Sequence, residues 1–217
     1  STQAKTLFPY TTLFRSMKKI VARIGAIDKK FIPVLDNSPL CTIGRRRSNR
    51  THYQVLVSSV LSQQLAVKAA DTIERRVVEL AGGEIHPESM VKLSAAQLRA
   101  AGVSGAKSKA IAGLTDASLT GEINFKSLGR LSNEEISEQL TKLWGIGRWT
   151  VEMFLIFHIG RLDIWPVGDL GVRRGWELIH NLKEEIDPKK LDPLGKKFEG
   201  MQSVVAWYCW RAKDAPK

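Results

Sequence analysis

Apolar positions along this chain recur mostly at helical spacing, three or four residues apart, rather than at the alternation of a half-buried strand. The pattern predicts a helix from about Lys18 to Ile27 and a short piece near Phe31–Leu35. An apolar helix follows from Tyr53 to Ser62, carrying Tyr53, Val55, Leu56, Val57, Val60 and Leu61, and then one from about Leu65 to Ala81 that Gly82-Gly83 should stop. Ser94-Ala-Ala-Gln97 and Ser132-Asn-Glu-Glu135 have the layout of capping boxes, so helices are expected to start there, with Gly102 closing the first. Further helices are expected from Lys107 to Leu119, from near Trp149, from Asp169 to about His180, and near Ser203–Arg211. The segments 37–40 and 44–50 read as loop, and no Asn-Gly or Asp-Gly pair marks a β-hairpin. The fold class is therefore all-α, with short connections and no internal repeat.

Composition changes this picture little, and charge changes it more. The 217 residues, 43% hydrophobic and 25% charged, are enough for one large or two small domains with a real core. No apolar run approaches the length of a membrane span. The formal charge of +11 favours polyanions, DNA or RNA among them. Residues 1–16 carry no acid, lack helical periodicity and do not have the layout of a secretory signal, so they read as a non-native or disordered prefix ahead of Met17. The two cysteines, Cys41 and Cys209, cannot build a four-cysteine zinc or iron–sulfur site. His52, His86, His158 and His180 have no metal-ligand spacing, and no metal site is expected.

Two neighbouring segments carry the candidate chemistry. Leu143-Trp-Gly-Ile-Gly-Arg-Trp-Thr150 joins two expected helices through Gly145 and Gly147. Glycines there allow a tight turn and leave backbone amides open to a phosphate, although such a turn also serves simply to pack two helices. About twenty residues on, Pro166-x-x-Asp169 places a carboxylate at the start of the next helix. Taken alone, Asp169 reads first as a helix cap and only second as a group that stabilises a developing positive charge.

Several segments, collinear over roughly residues 20–211, resemble the helix-hairpin-helix DNA glycosylase superfamily, and within it the alkylpurine (3-methyladenine type II) DNA glycosylases. They are Val60-Leu-Ser-Gln-Gln-Leu-Ala-Val-Lys-Ala-Ala70, Gly102-Val-Ser-Gly-Ala-Lys107, Leu143–Thr150, Phe157-x-x-Gly160-Arg-x-Asp163-x-x-Pro166-x-x-Asp169, and more weakly Ser203-x-x-Ala206-Trp-Tyr-x-Trp210-Arg. The resemblance implies a two-lobed helical fold. One lobe would span 50–164 and carry the hairpin at 143–150; the other would combine 17–49 with 165–217. Duplex DNA with a damaged base would be the partner, with the target nucleotide flipped out. A monomer with no membrane association is expected, nucleoid-associated in the cytoplasm of a prokaryote or nuclear in a eukaryote.

The same resemblance implies roles for particular residues. Asp169 matches the catalytic aspartate. Trp149 stands where bifunctional members carry a Schiff-base lysine, which implies base removal without strand cleavage. Trp149, Trp207 and Met153 would line the base pocket, where an indole face suits a cationic alkylpurine. Gly145, Gly147, Arg148 and Thr150 would hold the DNA backbone, with Lys107 as a further phosphate contact. Gln64, with Gln63 beside it, would fill the gap left by the flipped base. Trp210 reads as core, and Arg45, Arg46 and Arg47 as contributors to field alone. No cofactor is expected, apart from room for a monovalent cation on hairpin carbonyls. One departure stands out: Gly200-Met-Gln-Ser203 replaces the family's Pro-aromatic-Arg-Ser run, which is expected to alter the cleft wall or the seating of the last helix. The expected function is release of 3-methyladenine and 7-methylguanine class bases to leave an abasic site. A DNA-binding hairpin module without catalysis, or a glycosylase for another lesion, remains as the alternative.

Overall fold

The computed structural model describes residues 10–45 and 48–215, with the side chains of 10–15 excepted. The described residues are helical and contain no strand. They fall into two compact units, one made of 10–45 with 160–215, the other of 48–159.

In the first unit, α1 (Tyr10–Ile27) leads through a 3-10 turn at Lys29–Phe31 into α2 (Ile32–Asn37). Of the segment expected to be a prefix, residues 1–9 lie outside the described residues, while 10–16 belong to α1. The helix thus starts eight positions before Lys18. The second unit opens with α3 (His52–Ser62), whose N-cap Thr51 forms a reciprocal capping box with Gln54. Tyr53, Leu56, Val57, Val60 and Leu61 are all buried, at the i, i+3, i+4, i+7, i+8 spacing that makes α3 the core helix of this unit. There follow α4 (Val67–Leu80), α5 (Pro87–Met90), α6 (Ala95–Ala100) and α7 (Gly105–Leu119). The expected boxes at Ser94 and Ser132 both form, and the latter opens α8 (Asn133–Thr141). Gly102 ends the α6 region with a positive φ of 98°, which a Cβ would oppose. Next, α9 (Arg148–Met153) runs directly into a π-helical turn at Phe154–Ile159.

Returning to the first unit, α10 (Leu170–His180) ends on the left-handed Asn181, and α11 (Pro188–Leu191) and a 3-10 segment at Asp192–Phe198 lead to α12 (Gln202–Asp214). The core here is aromatic. Phe31, Trp176 and Phe198 meet edge to face, and His180 stacks on Trp176 at 4.0 Å. Asp28 accepts from His180 Nε2 at 3.0 Å and from Lys197 Nζ at 2.9 Å. Burial opposes the Asp28 charge, but the bonds from Lys197, His180 and the Lys30 amide outweigh it and hold the carboxyl down at about 2.

The departure at Gly200–Ser203 leaves α12 well seated. Gly200 takes a positive φ of 77°, and Met201 is buried. The Ser203 amide donates to Leu162 O at 2.9 Å. Its hydroxyl accepts from the Ile164 amide at 2.9 Å and donates to Ile164 O at 3.2 Å. These backbone bonds anchor the start of α12 without an arginine or a second aromatic ring.

Candidate functional site

The hairpin between α8 and α9 is built around two glycines with different jobs. Gly145 sits at φ +82°, and a Cβ there would lie 2.8 Å from that of Ala110 on α7, so both the turn and its close packing demand glycine. The Ile146 amide closes the turn onto Leu143 O at 3.1 Å, and its buried side chain pins the loop down. Gly147, by contrast, has an ordinary φ of −88°, and a Cβ built on it meets nothing within 4 Å. Among the described residues nothing requires a glycine at 147. What its missing side chain provides is open space beside the N-terminus of α9, where Gly147 supplies no capping group of its own.

Side chains around the hairpin tie it to the α3–α4 turn. Gln63 Nε2 donates to Gly145 O at 3.3 Å and to Thr150 Oγ1 at 3.4 Å, which places Thr150 as a buried support. Gln64, next in sequence, is exposed and left-handed at φ 56°, an unusual conformation for a residue with a side chain. Lys107 comes up from α7 beneath this turn and donates to Leu61 O at 2.8 Å, with burial lowering its pKa. Lys109, further along α7, places its ammonium 4.6 Å from the ring centroid of the half-exposed Trp144. Sequence reasoning passed over Lys109 and Trp144; an exposed tryptophan at the entry to the glycine turn was their only signal. Arg148 is exposed and pairs through Nε with the buried Glu152 at 2.8 Å. Trp149 is 50% exposed on the first turn of α9, and Met153 lies one turn on, partly buried.

Leu143 O accepts from Ile146 N and Gly145 O from Gln63, so at these two hairpin carbonyls a monovalent cation would use the second lone pair. Among the described residues no three His, Cys, Asp or Glu side chains gather as a metal site. His52 Nδ1 and His158 Nε2 share a hydrogen bond of 2.8 Å.

In the other unit, Asp169 occupies the N-cap of α10. The chain reaches it through a tight turn in which the Asp169 amide donates to Pro166 O at 2.9 Å. Its Oδ1 accepts from the Val172 amide at 2.8 Å, the bond expected of a cap, and also from Trp210 Nε1 at 2.8 Å. Trp210 is therefore not the plain core residue that its sequence position suggests. Trp207 is buried, edge-on to Tyr208, with the Arg211 guanidinium 5.1 Å from its ring centroid. The α12 side chain that reaches Asp169 is Trp210.

A helical fold carrying a glycine hairpin, a left-handed glutamine turn and an aspartate-capped helix after Pro-x-x-Asp defines a helix-hairpin-helix DNA glycosylase frame. Residues 57–199 match the HhH-GPD superfamily of base excision DNA repair proteins, and the chain belongs to that superfamily. It is 36% identical over 179 residues to DNA-3-methyladenine glycosylase 1 of Schizosaccharomyces pombe, covering 78% of each chain. Among solved structures it is similar to a DNA-3-methyladenine glycosidase from Bacillus halodurans, at 34% identity and a TM-score of 0.81 over 90% of this chain and 89% of that one. It is also similar to the S. pombe 3-methyladenine DNA glycosylase in complex with abasic DNA, at 32% identity and a TM-score of 0.76 over 89% and 95%.

Proposed function

We propose that this chain is a monofunctional DNA glycosylase that releases alkylated purines, of the 3-methyladenine and 7-methylguanine class, from duplex DNA. The observation that carries the reading is the Asp169 carboxylate, fixed at the N-terminus of α10 by two hydrogen bonds to one oxygen. The membership in a base excision repair superfamily and the names of the relatives supply the substrate class.

The chemistry follows from charge. An alkylated purine is cationic, so when the C1′–N bond breaks its electron pair neutralises the departing base and little acid assistance is needed. Positive charge then builds on the sugar, and a carboxylate beside it stabilises that oxocarbenium-like state. Water adds to C1′ and gives up a proton to Asp169 or to solvent, leaving an abasic site. Trp149 offers no amine for a Schiff base, so the strand stays intact. Gly145 and Gly147 shape the backbone grip, Gln64 fills the vacated stack, Arg148 and Lys107 add phosphate contacts, and Trp149, Met153 and Trp207 face the base. The protein acts as a monomer, in the nucleoid of a prokaryote or the nucleus of a eukaryote.

Methylated duplex DNA incubated with the protein and with Asp169→Asn tests this. Release of methylpurines and alkali-labile abasic sites is expected from the first and nearly none from the second. Undiminished release by Asp169→Asn removes Asp169 from the mechanism. Binding without release by the unaltered protein makes it a DNA-binding module, and a borohydride-trapped covalent adduct excludes the monofunctional route.

A further inference from the structure

We infer that Trp210 is a positioning residue for the Asp169 carboxylate, an inference that rests on Asp169 being the group that acts at the sugar. A capping aspartate needs only a backbone amide, and Val172 provides it. The second donor on the same oxygen comes from a different helix, forty-one positions away, and capping does not call for it.

The packing of α10 against α12 is arranged to let that donor in. Gly171 and Gly175 lie one turn apart on the α10 face that meets α12. A Cβ at Gly175 would fall well inside van der Waals contact distance of the Cys209 carbonyl oxygen, so the two backbones touch there. A Cβ at Gly171 would stand 2.8 Å from Trp210 Cδ1, 3.0 Å from Nε1 and 3.1 Å from Asp169 Oδ1. The indole edge therefore occupies the space that any side chain at 171 would fill. Trp210 is only partly buried, unlike the preceding α12 residues Trp207, Tyr208 and Cys209, so core filling does not account for it.

An indole suits this task. It donates and cannot accept, and it carries no charge. It fixes the plane of the carboxylate without neutralising the negative charge that faces the sugar, as a lysine or arginine would. Two donors from two helices on Oδ1 hold the group in one orientation through the bond-breaking step.

Single-turnover release of 7-methylguanine from a duplex by the full chain tests the inference. Trp210→Phe keeps an aromatic ring and removes the N–H; its rate constant is expected to fall about tenfold. Affinity for a duplex carrying an abasic-site analogue should stay within about twofold. Trp210→His, which offers a ring N–H again, is expected to release base faster than Trp210→Phe, even if both melt lower. An unchanged rate in Trp210→Phe, a rate loss matched by lost affinity, or Trp210→His no faster than Trp210→Phe overturns the positioning role. A silent Trp210→Phe beside an inactive Asp169→Asn removes this inference alone. Undiminished release by Asp169→Asn removes the reading of Asp169 and this inference with it.

Discussion

The Gln63 side chain reaches from the α3–α4 turn to the hairpin, donating to Gly145 O at 3.3 Å and to Thr150 Oγ1 at 3.4 Å. The turn bearing the left-handed Gln64 and the glycine loop are thus joined by one amide, which would hold the proposed wedge and the proposed phosphate grip in fixed register. Gln63→Ala is expected to cost less than about 1 kcal/mol of stability, because Gly145 is exposed and water can replace the donor. Its effect should appear in DNA binding, as a several-fold loss of affinity for abasic-site duplex that calorimetry or anisotropy can measure. Unchanged affinity would show that the register is held by packing alone.

The two hairpin glycines should respond oppositely to alanine. At Gly145 the positive φ of 82° and the Ala110 methyl both oppose a Cβ, so Gly145→Ala should unfold earlier by about 2 kcal/mol. At Gly147 there is neither strain nor a neighbour, so Gly147→Ala should melt with the unaltered protein. A methyl in that open space should still weaken DNA binding about tenfold, by holding a phosphate off the amides. Melting curves read beside binding isotherms separate the two effects, and equal affinity for Gly147→Ala would mean that no backbone approaches there.

A half-buried histidine pair makes stability depend on pH in a definite window. Burial lowers His52, and burial with the nearby His52 and Arg50 charges pushes His158 down to about 4, from an ordinary 6.5. The unfolded chain therefore takes up protons before the folded chain does. Stability is level above about pH 6.5, falls as pH drops toward 4, and levels off below. Asp28, held at about 2, acts in a separate range: its contribution is complete above 3.8 and is lost as pH falls through 2. Melting temperature should therefore decline between pH 7 and pH 5, and His158→Phe should flatten that decline. An equally steep decline in His158→Phe would place the effect elsewhere.

The α10–α12 contact is the most demanding packing in the first unit. Gly175→Ala drives a methyl into the Cys209 backbone, which cannot rotate aside as a side chain could. The expected cost is about 2–3 kcal/mol, or roughly 5–10 °C in melting temperature. Because the same contact brings Trp210 to Asp169, residual folded protein should also release base more slowly. A wild-type rate per folded molecule would separate the helix contact from the carboxylate geometry.

What could be read from the sequence was mostly local. Capping boxes at Ser94 and Ser132, the αL stop at Gly102 and the helix opening at Asp169 are each written within a few residues, and each forms as expected. The π-helical turn at Phe154–Ile159 was not legible, because an apolar run has no period that separates one helical pitch from another. Nor was Trp210, whose indole is equally at home in a core or beside a carboxylate until α10 is placed against α12. The Gly171-x-x-x-Gly175 spacing was the available hint, since two glycines one turn apart leave room for a close neighbour. The hydrogen bond from Lys107 to Leu61 spans forty-six positions and depends on how α7 crosses α3, which no local pattern encodes.

That bond leads to a last prediction, about the two lysines of α7. Lys107 carries three N–H donors, and one is committed to Leu61 O at the C-terminal end of α3. Removing it should cost both fold and charge: Lys107→Ala is expected to melt lower and also to shed one phosphate contact. Lys109 stands exposed over Trp144, beside the glycine turn, with no hydrogen bond to a backbone carbonyl among the described residues. Lys109→Ala should keep the melting temperature and lose only charge. For each phosphate released from contact, the slope of log affinity against log salt should become shallower by about 0.9. Titrations across salt concentrations with both variants measure this directly. A Lys109→Ala slope equal to that of the unaltered protein would place the DNA backbone away from Trp144. A shallower slope in both, with stability lost only in Lys107→Ala, would make one lysine a prop and a contact and the other a contact alone.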